Sequence, residues 1–153
     1  MSRAPFQVLV IPYNILKDTI RYCIFERTQP MFQVQFIAGG GEDDETPIEA
    51  AERECFEEAQ IQSGNFIKLT SLCYIPTHIF SENQRKIWGE DVFVIPEHAF
   101  AVELKSADIV ISEEHTWYKW VSYEEALSSL KWDSNKTALY ELNCRIKLHL
   151  DHN

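Results

Sequence analysis

The sequence predicts an α/β sandwich in which a mixed β-sheet lies between helical layers. Three observations carry that expectation. β-rich runs recur from the N-terminus to about residue 121, helical stretches interrupt and follow them, and 45% of the 153 residues are hydrophobic, with 9 Phe, 6 Tyr and 4 Trp to fill a core. A chain of this length is expected to form one domain, residues 1–153, because it can bury a single sizeable core.

Residues 6–13 and 20–26 are β-rich, and the Asn and Asp between them favour a turn, so the pair reads as a hairpin. The apolar stretch 31–38 runs into glycines 39–41, which are expected to break regular structure before a group of acidic residues. From Pro47 the spacing turns helical. Proline suits a first helical turn, and Ile48, Ala51, Cys55 and Ala59 share one face, so the helix should end near Ala59. Residues 66–75, 90–96 and 116–121 read as further strands, and 76–88 as a polar connector long enough to be a functional loop. Ser122 and Glu125 have capping-box spacing before a short helix. Asp133 or Ser134 can cap a last helix reaching about Leu148, with Ala138, Leu142, Cys144 and Ile146 at apolar positions.

The charge balance narrows the function. With 24 acidic against 14 basic residues the net charge is −10, so a nucleic-acid polymer would be bound against the chain's own field. A small polyanionic substrate would need local positive charge, and a divalent cation is the simplest source. Cys23, Cys55, Cys73 and Cys144 are widely spaced without a CxxC pair and are read as reduced core residues. The N-terminal apolar run is too short for a signal peptide, and no run approaches the ~18 apolar residues of a membrane span. A soluble, cytoplasmic protein is expected.

The helix from Pro47 carries an unusual acidic group. At 100° per residue from Ile48, Glu54 falls near about −120°, Glu58 near about −80° and Glu57 near about 180°, so the three share a face. Like charges at this spacing repel by a few tenths of a kcal/mol per pair, roughly, when exposed. A hard cation reverses that sign, since Mg²⁺ takes carboxylate oxygens and shares its octahedron with water and substrate phosphates. Taken alone, such a run is more often a solvated acidic face.

Its setting is more specific. Gly39, Glu45, Arg53, Glu54, Glu57, Glu58 and Ile61 stand at the spacing of the Nudix box, which this segment resembles at seven fixed positions. Cys55 replaces an aliphatic residue, and Gln60 stands where the family has a glycine suited to a left-handed turn, a change expected to cost up to about 1 kcal/mol. Asp44 and Ala38 also depart from glycines common in the family. The resemblance implies an α/β/α sandwich and a phosphoanhydride hydrolase. Glu54, Glu57 and Glu58 would be ligands to Mg²⁺, with Mn²⁺ an alternative. Arg53 would orient a ligand carboxylate and, with Glu45, brace the loop and helix.

The similarity extends beyond the box. Residues 7–12, Arg27, residues 112–120 and the run Trp132, Asp133, Ser134, Asn135 look like the branch holding bacterial dihydroneopterin triphosphate and dATP pyrophosphohydrolases. In that branch a glutamate before the last histidine-bearing strand completes the metal site, which matches Glu114, with Glu113, Glu90 and Asp91 as rivals. Arg3 and Arg27 match basic positions that could hold phosphates. Ala38 and Gly39 would border the substrate, His78, Phe80 and Trp88 could cover a flat ring, and Ser134 could hydrogen-bond it. His149 and His152, three apart near the end of the chain, are not read as a metal site.

The implied reaction is attack of water on a phosphorus of the anhydride, with Glu57 or Glu114 taking its proton. A triphosphate would yield a monophosphate and pyrophosphate. Two alternatives stand beside it: a Nudix hydrolase of dinucleoside polyphosphates or nucleotide sugars, and a catalytically silent nucleotide-binding module. The partner is a small molecule, with a homodimer left open.

Overall fold

In a computed structural model, residues 2–62 and 64–151 are described. β1 (Arg3–Leu16) runs antiparallel to β2 (Thr19–Arg27) through a two-residue turn, and the strands pair as far as Leu16 with Thr19. The turn residues Lys17 and Asp18 both have positive φ, the geometry whose twist matches that of the flanking strands. The hairpin is therefore tighter than the six-residue connector expected from its Asn and Asp.

β3 (Val34–Gln35) and β4 (Ile37–Glu42) follow. Glycines 39–41 do not interrupt the structure. They lie within β4 and pair antiparallel with β1, Gly40 opposite Gln7 and Gly39 opposite Val8. Their bare backbone makes room for side chains above the strand, since a Cβ on Gly39 would collide with the Glu54 carboxyl group and one on Gly40 with the Arg3 guanidinium.

Helix α1 (Pro47–Ala59) has the expected limits. Thr46 caps it, accepting from Glu49 N while Glu49 Oε1 accepts from Thr46 N at 2.9 Å. At the far end Gln60 is left-handed, with φ 54° and ψ 34°, so the glycine-type ending is kept without glycine. Ala50, Ala51, Cys55 and Ala59 are buried, whereas Ile48 is 36% exposed.

β5 (Asn65–Pro76) leads into the segment expected to be a loop. It holds a short 3₁₀ turn (Thr77–Ile79) and α2 (Glu82–Trp88), capped by Ser81. β6 is Val94–Glu103, so the strand expected over 90–96 starts later and runs longer, and Glu90 and Asp91 fall in the preceding turn. β7 (His115–Val121), α3 (Tyr123–Ser129) and α4 (Asp133–Asp151) complete the described chain. Ser122 accepts from Glu125 N, but the Glu125 carboxylate takes Lys119 Nζ at 2.6 Å instead of closing the capping box.

The sheet order is β3-β2-β1-β6-β5, with β4 also on β1 and β7 on β2. Only β1 and β6 run parallel in these pairings, which makes the sheet mixed. Alternation along the strands sends side chains to two cores. Val8, Val10, Phe25, Phe100 and Val102 pack under α1, while Leu9, Ile11, Ile24, Ala99 and Ala101 pack under α3 and α4. This is an α/β sandwich. Cys23 and Cys55 are buried core residues, but Cys73 is half-buried and Cys144 exposed, so only two of the four cysteines take the role expected of them. Among the described residues no helix is long and apolar enough to cross a membrane. His152 lies outside the described residues.

Candidate active site

One arginine organises the acidic helix. Arg53 donates from Nε and Nη2 to Glu45 at 2.7 and 3.0 Å, from Nη2 to Gly40 O at 2.8 Å, and from Nη1 to Glu54 and Glu57 at 2.9 and 3.1 Å. A planar guanidinium can serve helix, strand and loop together because its donors are fixed in one fork. The hydrogen bond to Glu45, above all, raises the arginine's pKa and lowers that of Glu45.

Glu54 and Glu58 occupy the inner side of α1. Glu58 is 1% exposed, its Oε2 has no hydrogen-bond partner, and its Oε1 lies 3.4 Å from His115 Nε2. Burial first, and then the neighbouring Glu54, push the Glu58 carboxyl well above the usual range. His115 is itself buried, which lowers its pKa to about 4, helped by Arg27, and neither ring nitrogen has a hydrogen-bond partner. Glu57, by contrast, is about half exposed and is turned toward Arg53.

The segment before β7 is sewn to the end of α1. Val110 N donates to Ala59 O and Ser112 N to Glu58 O, so carbonyls of the last helical turn find partners there. Thr28, beyond β2, holds the next turn by donating to the Glu113 and Glu114 carbonyls at 2.7 and 2.8 Å. These links bring Glu114 from late in the sequence to the carboxylates of α1.

A cavity of about 610 Å³ opens there. Arg27, Ala38, Gly39, Glu58, Glu114 and His115 line it together with Gln7, Gln35, Glu97, Ser134 and Asn135, and Tyr74, Ile79 and Trp132 supply apolar and aromatic surface. Its volume and mixed lining suit a small ligand with a flat apolar part.

Residues 11–142 match the family model of the NUDIX domain. The chain belongs to the Nudix family. It is a Nudix-type pyrophosphohydrolase, and a small nucleotide-like molecule suits it as substrate. It is 30% identical over 142 residues to the dihydroneopterin triphosphate diphosphatase of Haemophilus influenzae, covering 90% of this chain and 88% of that one. A Listeria monocytogenes protein described as a Nudix hydrolase superposes with a TM-score of 0.84 at 42% identity, over 95% of this chain and 97% of that one. The Escherichia coli dihydroneopterin triphosphate pyrophosphohydrolase follows with 0.73 at 26% identity, over 94% and 99%.

Nudix hydrolases generally use a divalent metal. The donors present fit one: Glu58 offers a buried oxygen with no partner, Glu54 stands beside it, and carboxylate oxygens are the donors hard divalent cations prefer. No group of three or more His, Cys, Asp or Glu among the described residues converges as a ready metal cage. Few protein ligands are needed when water and phosphate complete the shell.

The other residues singled out by sequence divide between cavity and periphery. Arg27, Ala38, Gly39, Glu114 and Ser134 line the cavity. Arg3 and Phe80 pack together at 4.8 Å, Phe80 meets Trp88 edge-on, and Trp88 Nε1 donates to Arg3 O. This cluster ties α2 to β1 and lies outside the lining, as does the exposed His78. Glu97, Gln7, Gln35 and Tyr74 line the cavity without having been singled out. A lone acid inside the apolar run 94–102 was the one sequence signal for Glu97.

Proposed function

We propose that this enzyme, acting as a single domain, hydrolyses a phosphoanhydride bond of a nucleotide-like triphosphate with Mg²⁺ and releases pyrophosphate. The observation that carries this reading is the charge of the cavity wall: Arg27 is the one arginine or lysine among the described lining residues, against Glu58, Glu97, Glu114 and Asp133. A cation there would favour the ionised form of the buried Glu58 and offset the charge that a polyphosphate brings to this acidic wall.

Glu54 and Glu58 would hold the metal, joined by Glu114 or Glu57. When bound, the metal makes hydroxide accessible near neutral pH and offsets charge developing on the phosphate oxygens. The chain's own groups do the rest. Arg53 keeps the Glu54 carboxylate turned toward Gly39. Glu114 faces the cavity and can take a proton from the attacking water, and Arg27 is placed to steady a phosphate. Tyr74 and Trp132 offer flat faces to a ring. The identity of the Haemophilus and Escherichia relatives supports dihydroneopterin triphosphate as the first substrate to test, with dNTPs next.

The test is a phosphate-release screen, with and without added pyrophosphatase, over dihydroneopterin triphosphate, dNTPs, dinucleoside polyphosphates and ADP-ribose. Triphosphates should release phosphate only when pyrophosphatase and Mg²⁺ are both present. Undiminished hydrolysis in excess chelator, or turnover confined to ADP-ribose or dinucleoside polyphosphates, would overturn the reading.

A further inference from the structure

Glu97 is the least explained group in the cavity. It is 6% exposed, lines the wall formed by β1 and β6, and belongs to neither the acidic helix nor the turn carrying Glu114. Burial pushes its carboxyl up, while hydrogen bonds from Gln7 and Ser134 pull the other way.

Its hydrogen-bond partners have a fixed direction. Arg3 Nη2 donates to Gln7 Oε1 at 3.1 Å, and arginine has no acceptor, so the Gln7 oxygen must face Arg3. The amide nitrogen of Gln7 therefore faces Glu97 and donates to its Oε2 at 2.7 Å. A second series runs from α4. Phe36 N donates to Asn135 Oδ1 at 2.9 Å, which turns Asn135 Nδ2 toward Ser134 Oγ at 3.3 Å. The Ser134 hydroxyl, accepting there, has its own proton free for Glu97, whose charged form it favours. Both series end with a donor on the same carboxylate, so Glu97 is held as an acceptor. A carboxylate has about four lone-pair sites, and the protein fills two. What remains on the cavity side calls for adjacent N–H donors.

We infer that Glu97 is a specificity-determining residue that accepts two neighbouring N–H groups from the substrate ring, the 2-amino-4-oxopyrimidine edge shared by pterins and guanine. Adenine and cytosine place an acceptor nitrogen where that edge has N–H, which sets lone pair against carboxylate, and thymine offers a single N–H between two carbonyls. The inference rests on the triphosphate reading above only in placing a ring in this cavity.

The test compares wild type with Glu97→Gln. Hydrolysis is measured with dihydroneopterin triphosphate, dGTP and dATP, and ring contact by saturation-transfer NMR with neopterin, guanosine and adenosine. Wild type should prefer the first two triphosphates. Glu97→Gln should lower their kcat/KM by about 10- to 100-fold, the scale of losing hydrogen bonds to a charged group, and leave dATP unchanged or improved because the new amide offers a donor. Loss on pterin substrate alone or dGTP alone assigns the edge to that ring. An equal fall on all three, no change, or a wild-type preference for dATP overturns the inference. If no triphosphate is cleaved, the triphosphate reading fails while NMR still decides this one: saturation of neopterin and guanosine over adenosine that disappears in Glu97→Gln supports it, and any other pattern overturns it. Should Glu97→Gln not fold, Ser134→Ala removes one of the two donors and must shift the dGTP-to-dATP ratio, or the neopterin-to-adenosine saturation ratio, in the same direction.

Discussion

Nε2 of His115 lies 3.4 Å from Oε1 of Glu58, and both side chains are almost wholly buried. The histidine's pKa is pushed down and the glutamate's up, so this contact is not an ion pair but two desolvated groups, each losing charge to its surroundings. A carboxylate in this position is at odds with its environment until a cation enters.

The first prediction concerns Glu58→Gln. On a solvated acidic face the removal of Glu58 would relieve only surface repulsion, whereas the side chain is 1% exposed and the gain comes from removing a buried acid. The amide keeps the shape and removes a buried, unpaired acid, so the melting temperature in excess chelator should hold or rise. Turnover with Mg²⁺ should fall by about 10²-fold or more, since several kcal/mol of charge stabilisation depend on the ligand set. Full activity would remove Glu58 from the metal site.

Gly39→Ala tests the seat of Glu54. A Cβ at this position would occupy the space of the Glu54 carboxyl group, the movable end of a side chain, so the strand should persist and the carboxylate should shift. The expected result is a several-fold higher Mg²⁺ concentration for half-maximal activity, with a far-UV circular dichroism spectrum like wild type. An unchanged Mg²⁺ titration would show that Glu54 is not held against Gly39 for metal binding.

The parts legible in the sequence were those written in local spacing. Proline at a first turn, apolar residues on one helix face and the Nudix spacing located α1 to the residue, and the strands read over 66–75 and 116–121 match β5 and β7 to within one residue at each end. Glycines 39–41 were misread because glycine is weak in strands on average, whereas here the side chains of Arg3 and Glu54, distant in sequence, need the room. The same limit hid Glu97. Its role depends on Gln7 lying opposite across a parallel pairing ninety residues away, and on Asn135 being oriented by a backbone amide of β3–β4. None of those contacts leaves a periodic trace.

Glu141 gives a pH prediction away from the catalytic groups. β5 slips register between Lys68 and Leu72, and Glu141 on α4 accepts from Thr70 N at 2.7 Å, Ser71 N at 2.8 Å and Ser71 Oγ at 2.6 Å, occupying donors left by the irregularity. Partial burial pushes this carboxyl up, but the bonds from Ser71 and Thr70, with Arg145 beside it, bring it below the usual value. A carboxylate whose folded pKa is lowered stabilises the fold fully above its unfolded pKa of 4.5 and loses that contribution as pH falls through the folded value. Glu141→Ala should therefore cost about 1–3 kcal/mol at pH 7, measured by urea denaturation. The gap to wild type should narrow below about pH 4.5. A gap that is constant with pH would mean that the carboxylate's charge plays no part.

The last prediction assigns the proton acceptor. Glu57 and Glu114 were both open from sequence, and their surroundings now differ. Glu57 is engaged by Arg53 Nη1 at 3.1 Å and does not line the cavity, so protonating it would break an ion pair. Glu114 lines the cavity, its backbone is fixed by Thr28 N and by Ser112 Oγ, and its side chain is exposed. A base needs a free lone pair facing the reacting water and a position that does not wander, which Glu114 meets better. Glu114→Gln should lower kcat by about 10²-fold or more with little change in KM, the pattern of losing an interaction made only in the transition state. Glu57→Gln should reduce kcat less, and it should respond to higher Mg²⁺, because that change loosens Arg53 and through it Glu54. If Glu114→Gln behaves as wild type while Glu57→Gln loses activity that Mg²⁺ does not restore, the roles are reversed and the ion pair with Arg53 must open during turnover. If instead the Mg²⁺ requirement of Glu114→Gln rises along with its loss of kcat, Glu114 acts as a metal ligand, and the same titration on Glu113→Gln, Glu90→Gln and Asp91→Asn should show no such shift.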